Sequence, residues 1–164
     1  MNNAAKHIIR LVVLILLQTL LINNLHWLGI FHPSIYVIGL LLLPATLSRT
    51  AELFIGAAVG LIMDMIYSTA GAHMAACVAV AYFRPLLIQQ LVQDANRIGT
   101  QVCSASIGTR QFVILASLMI VLHQALVLFL EAWSLDHSGW LILSTLCSAG
   151  VTFLLAWLYD RTQR

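Results

Sequence analysis

Charge is scarce in this chain. Eight basic and six acidic side chains make up 9% of 164 residues, where a soluble domain carries about 25%. With 61% of residues hydrophobic, soluble globular and disordered classes are excluded, and an integral membrane protein is implied. Cysteine is also sparse. Cys77, Cys103 and Cys147 match no zinc spacing, and an odd count argues against a disulfide framework, so those in apolar runs read as small packing residues. The basic residues form no patch suited to nucleic acid. Catalytic signatures are missing as well: there is no HExxH, no GxSxG elbow, no paired Gly-Asp motifs of membrane proteases and no phosphate loop. The sequence therefore indicates neither an enzyme nor a metal or cofactor binder. The alternation expected of a β-barrel is lacking too.

What remains is a set of six apolar runs, at about 8–23, 34–47, 51–68, 72–92, 111–133 and 139–159. Several reach the ~20 residues that a helical span needs, while the second is short. The breaks carry suitable punctuation: Asn23-Asn24, His32-Pro33-Ser34, Ser48-Arg49, Ser68 to Gly71, the polar stretch 93–109, and Asp136-His137-Ser138-Gly139. The expected architecture is an all-α, six-transmembrane-helix bundle forming one polytopic domain over 1–164, with 93–109 as its single long loop. Lys6 and Arg10 before the first run imitate a signal peptide. No small-x-small cleavage pattern follows in Asn23-Asn24-Leu25-His26, so an uncleaved first span is predicted.

Six spans place Lys6, Arg10, Arg49, Arg84, Arg97, Arg110, Arg161 and Arg164, all eight basic residues, on one side of the bilayer. Basic residues flanking spans stay cytoplasmic, which predicts that both termini are cytoplasmic. The aromatic residues fit the same frame. Trp27, Tyr36, Tyr67, Trp133 and Trp140 fall near outer ends, and Tyr82, Phe83, Trp157 and Tyr159 near inner ends, as in interfacial belts.

Within the third run, Asp64 reads as the one carboxylate placed well inside apolar sequence, where a charge costs about 2.5–3.5 kcal/mol at the centre of a span. Gly56, Gly60 and Asp64 recur every fourth residue and share a helix face. The fourth run offers small Ala72, Ala75, Ala76 and Ala79. Two readings stay open for this face: packing within an antiparallel hairpin, or docking of a partner helix, including self-association into a homo-oligomer. Helix arithmetic puts Asp64 roughly 8 Å and Arg84 roughly 20 Å below the turn around Gly71, so the two do not pair directly. His73 and Ala76 are better placed, and Asp64 is expected to be buried and hydrogen-bonded in the outer half.

Arg84 reads as a cytoplasmic-side anchor that snorkels to headgroups, Pro85 as a kink beside it, and Pro44 as a break in the second run. His123, Gln124 and Glu131 give the fifth run a polar side expected to face the bundle interior. His26, His32, His73 and His137 map to the outer side with no i, i+4 pair, and read as scattered polar residues.

The strings Leu40-Leu41-Leu42-Leu43-Pro44, Gly60-Leu61-Ile62-Met63-Asp64, Ser68-Thr69-Ala70-Gly71-Ala72-His73-Met74-Ala75-Ala76, Ala81-Tyr82-Phe83-Arg84-Pro85 and His123-Gln124-Ala125-Leu126-Val127-Leu128-Phe129-Leu130-Glu131-Ala132 together resemble the rod shape-determining protein MreD family. The resemblance covers about residues 20–135. It implies a non-enzymatic component of the bacterial inner membrane that supports rod shape and peptidoglycan synthesis. The implied direct partner is the single-span shape protein MreC, which leads indirectly to RodA, its penicillin-binding transpeptidase and the filament MreB. It also implies a fold like that of transporter S components. A second reading is accordingly a vitamin-like substrate-binding subunit of a transporter. Such subunits carry a small-residue face on the first helix, and the run Leu11–Leu21 has none here.

Overall fold

The computed structural model describes residues 3–22, 33–92, 102–131 and 138–162, and all regular structure among them is helical. Helix α1 (Asn3–Leu17) continues into a π-helical turn (Gln18–Ile22). Helix α2 (Tyr36–Leu41) has only six residues. Helices α3 (Arg49–Tyr67) and α4 (Ala72–Leu91) form a tight hairpin. A single turn, α5 (Ser104–Ile107), precedes α6 (Thr109–Glu131) and α7 (Ser138–Thr162). Three of these, α3, α4 and α6, are long and apolar enough to cross a membrane.

The surface of the bundle is apolar, unlike that of a soluble protein, and the interior combines an apolar core with buried polar side chains. Large apolar side chains point outward along α1 (Ile8, Ile9, Val12, Val13), α6 (Leu118, Val121, Phe129) and α7 (Leu143, Leu146, Leu154). Polar ones point inward: Gln18, Glu52, Arg84, His123, Thr152 and Asp160 are all at most 2% exposed. Such a surface suits lipid, which offers apolar contact outside and no hydrogen bonds for a stray polar group. Periodicity produces this arrangement. On α7, Ser148, Thr152, Ala156 and Asp160 fall every fourth residue and are all buried, a small and polar seam on an otherwise apolar helix. On α6 the buried positions Phe112, Leu115, Ala116, Met119, Ile120, His123, Gln124 and Val127 trace one stripe.

The second apolar run, expected at 34–47 as a span, departs from that expectation. Its helix is too short to cross a bilayer, and from Tyr36 to Leu43 every residue is buried. At its C-terminal end Leu42 leaves the helical conformation and Pro44 follows two residues later. A stretch of broken backbone at membrane depth is tolerated only when wrapped in protein, and α1, α4 and α6 pack around this one. Tyr36, expected at the interface, is instead fully buried. Tyr82 and Phe83 are exposed. Trp27, Trp133, His26, His32 and His137 lie outside the described residues, as do the side chain of Trp140 and the loop positions 93–101.

Of the two readings of the Gly56–Gly60 face, the fold realises packing within the hairpin. A Cβ on Gly56 would lie 2.9 Å from the Cys77 carbonyl oxygen, and one on Gly60 would lie 2.4 Å from the Met74 Cα. Backbone, not flexible side chain, occupies that space, so α4 itself fills the groove a partner helix would need. Ala76, 0% exposed, belongs to the same contact surface. Helix α3 starts on a Ser48 cap, whose Oγ accepts from Ala51 N–H at 3.3 Å. It ends where Ser68 adopts a left-handed conformation (φ 56°) and Gly71 (φ 91°) turns the chain into α4. Helix α4 runs unbroken through Pro85 to Leu91.

Gly60→Ala is expected to destabilise the protein by about 1–3 kcal/mol, the usual cost of forcing a methyl into close-packed backbone. Gly150→Ala on α7, where an added Cβ meets nothing within 4 Å, is the matched control and should be near neutral. SDS titration of the purified protein in mixed micelles reads both.

Candidate functional site

Three polar clusters occupy the bundle. At the hairpin turn, Asp64 is 5% exposed and closes α3 onto α4. Its Oδ1 accepts from Thr69 Oγ1 at 2.5 Å and from the His73 backbone N–H at 3.0 Å, and its Oδ2 accepts from Met74 N–H at 2.9 Å. These amides are orphan donors of the first turn of α4, so a carboxylate one helix back does the work of an N-cap and complements the helix dipole. The expected burial and hydrogen bonding of Asp64 are present, and its bond to His73 runs through the backbone, not the ring.

At the opposite end of α4 the expectation for Arg84 is overturned. Arg84 is 1% exposed and cannot reach headgroups. Its Nη1 donates to Glu52 Oε1 at 2.6 Å, its Nε donates to Leu41 O at 3.0 Å, and its Nη2 donates to Leu43 O. The guanidinium thus serves the carbonyls left bare where α2 stops, and Glu52 on α3 balances its charge inside the protein. Arg10 Nη1 reaches Leu42 O at 3.5 Å from α1, and its guanidinium also lies over the Tyr159 ring of α7. Asp64 is therefore not the sole buried acid. Glu52 and Asp160 are each 1% exposed, and Asp160 Oδ1 accepts from Ser104 N–H at 2.8 Å while its Oδ2 accepts from Ser104 Oγ. These joints hold α5 to α7 as Glu52 and Arg84 hold α3 to α4.

The third cluster surrounds the start of α2. Tyr36 Oη lies 2.9 Å from His73 Nδ1 and 2.9 Å from His123 Nε2. His73 Nε2 lies 3.5 Å from Glu131 Oε1, and Cys77 Sγ is 3.9 Å from His123 Nε2. The Tyr67 ring stacks on the His73 ring at 5.0 Å, and its hydroxyl accepts from Gln18 Nε2 at 2.8 Å. Gln18 also donates to Pro33 O at 2.9 Å and accepts from Ile35 N–H at 2.8 Å. Ser34 N–H donates to Thr152 Oγ1 at 3.1 Å, and Gln124 Nε2 donates to Ser34 Oγ at 3.4 Å. His73, read as scattered, thus joins His123, while Glu131, expected in the bundle interior, sits at the rim with its side chain 43% exposed.

Sequence reasoning missed Glu52, Tyr36, Gln18 and Asp160. Two signals were present. Asp160 and Thr152 share the four-residue period of α7 with Ser148, and Glu52 lies at nearly the depth of Arg84 across the hairpin. Chemically, nearly every buried polar group is engaged by another. Among the described residues no group of three His, Cys, Asp or Glu side chains has metal-binding geometry. The buried atoms left without a partner there are Glu52 Oε2 and His123 Nδ1.

Arg84→Met is expected to cost about 3–5 kcal/mol, because it strands the buried Glu52 carboxylate together with the α2 carbonyls. In the Asp64 series, Asn keeps one oxygen for Thr69 and His73 but turns an NH2 toward Met74 N–H. Leu leaves all three donors unpaired, at about 1–3 kcal/mol each. The expected stability order in SDS unfolding is wild type, then Asp64→Asn, then Asp64→Leu.

Compared with known families, curated proteins and solved structures, the chain matches no family model, no curated protein and no solved structure.

Proposed function

We propose that this chain is a non-enzymatic membrane scaffold of the bacterial cell-wall elongation machinery, a six-span protein of the inner membrane with both termini cytoplasmic and an MreC-like protein as its direct partner. One observation carries the reading. The residues that bear the MreD resemblance are the joints of the fold. Gly60 and Asp64 seat the α3–α4 hairpin, Gly71 turns it, and Arg84 fastens the end of the Leu40–Pro44 string. A sequence signature made of joints is a signature of architecture, and architecture is what a scaffold offers.

An even number of segments is supported by the contact between α1 and α7. The guanidinium of Arg10 on α1 lies over the ring of Tyr159 near the end of α7, a contact that any even number of passes allows; six is the number we propose, with 34–47 crossing as a broken segment. Because α4 fills the glycine groove, the membrane anchor of the partner meets the lipid-facing sides of the outer helices. The segments 23–34 and 136–139, most of which lie outside the described residues, are the proposed contacts for its extracytoplasmic part.

Tagged protein solubilised from its own membrane is expected to bring down a single-span MreC-like protein. Crosslinkers placed on the outward positions Leu118, Val121 or Leu146 should trap it. Capture of a transporter ATPase module, or recovery of a bound vitamin, would favour the carrier reading and defeat this one.

A further inference from the structure

Contacts between helices sort the two ends of the bundle. Glu131 beside His73 brings the end of α6 to the α3–α4 turn, and Gln18 bonded to Tyr67 brings the end of α1 there. At the other end Arg10 meets Leu42 O beside the Leu41 and Leu43 carbonyls that Arg84 holds, and its guanidinium lies over Tyr159. Asp160, bonded to Ser104 N–H, adds α5 and with it the start of α6. All six basic residues of the described chain, Lys6, Arg10, Arg49, Arg84, Arg110 and Arg161, therefore gather at the Arg84 end. Asp64 and Glu131 lie at the turn end.

The charge at the Arg84 end is unbalanced at its surface. The acids there among the described residues are Glu52 and Asp160, both 1% exposed and held by Arg84 and Ser104. Lys6, Arg49, Arg110 and Arg161 are all exposed, on four different helices. Arg49 and Arg110 stand in the first turns of α3 and α6, where the helix dipole disfavours a cation, so the helices themselves gain nothing from them. What answers this rim is set by the surface beside it. Next to Lys6, Ile9 and Val13 point outward along α1; next to Arg161, Leu158 and Leu154 do so along α7. An apolar stripe that ends in an exposed cation matches a molecule with acyl chains and an anionic head. A zwitterionic lipid covers the stripe but brings no net counter-charge, and a soluble anion answers the cation but not the stripe.

We propose that the Arg84 end of the bundle is a binding surface for anionic phospholipid, with Lys6 on α1 and Arg161 on α7 as contacts for the headgroup phosphate. Arg161 is the better built of the two. Its guanidinium lies 4.6 Å from the centre of the Trp157 ring, an aromatic suited to headgroup depth. The ring positions the charge, and the planar N–H fork can grip two phosphate oxygens at once. Lys6 adds a compact charge one turn before Arg10, whose contact with Tyr159 brings α1 against α7. Arg49 and Arg110 extend the same positive rim to α3 and α6. The surface requires only that the bundle lies in a bilayer, so it stands or falls apart from the scaffold reading.

Native mass spectrometry of the full-length protein tests this, after equilibration in detergent with equal amounts of phosphatidylglycerol and phosphatidylcholine of identical acyl chains. The protein is expected to retain phosphatidylglycerol preferentially, and raised salt should erode the preference. One basic residue near an anionic surface is worth about fivefold in affinity, so Lys6→Gln and Arg161→Gln should each cut the preference by up to about fivefold, and the double variant further. Both positions are exposed; thermal unfolding in phosphatidylcholine nanodiscs, unchanged from wild type, verifies that the variants fold. The surface is overturned if wild type retains the two lipids equally, or if the folded double variant keeps the full preference. It is also overturned if water-soluble glycerophosphoglycerol or polyglutamate displaces phosphatidylglycerol completely, which would assign the cations to a soluble phosphate ester or an acidic peptide.

Discussion

A helix that stops inside an apolar bundle leaves carbonyls that no water can reach, and here Arg84 supplies their donors. The guanidinium meets Leu41 O and Leu43 O, and Glu52 neutralises it in place. A second group of polar side chains follows the same constraint at the other end of α2, while Asp64 and Asp160 serve the first turns of α4 and α5. Gln18 takes Pro33 O and Ile35 N–H, Thr152 takes Ser34 N–H, and His73 and His123 take the Tyr36 hydroxyl. One short helix thereby recruits polar side chains from α1's π turn, α3, α4, α6 and α7. Buried polar groups that look unrelated in the sequence are the solvation shell of a broken backbone.

This explains which features were legible in the chain. The α3–α4 hairpin was, because Gly56, Gly60 and Asp64 carry a four-residue period and the turn residues are strong punctuation. The depth arithmetic that separated Asp64 from Arg84 also points to Glu52. Glu52 stands about 17 residues before the turn and Arg84 about 15 after it, a mismatch of only a few ångströms at 1.5 Å per residue. Glu52 escaped notice because an acid in the first turn of a helix is ordinarily exposed and favourable there, and nothing local distinguishes a buried one.

Tyr36 and the partners of His123 were obscured for a different reason. A tyrosine at the edge of an apolar run fits an interfacial belt and a buried hydrogen bond equally well. The choice depends on whether the run crosses the bilayer. The short length of 34–47 and Pro44 at its end were the clues that it does not cross as one helix. His123 lies on the stripe that begins at Phe112, so its burial follows from periodicity, but its partners Cys77 and Tyr36 are 46 and 87 positions away and no local pattern encodes them.

The two charged systems at the ends of α2 are chemically unlike, and that difference has a structural consequence. Arg84 with Glu52 is a closed pair, sealed from solvent at 1% exposure for each residue, and the other bonds of the guanidinium run to backbone carbonyls. The Tyr36 end is open, since its hydrogen bond to His73 leads on to Glu131 at the rim. A six-residue helix, roughly 9 Å long, is too short to absorb strain by bending. Its position is therefore set by what holds its two ends, Arg84 at one and the Tyr36 hydrogen bonds at the other. Between those ends α2 packs against α1, α4 and α6, so the joints at its two ends and the packing along it act on one short element.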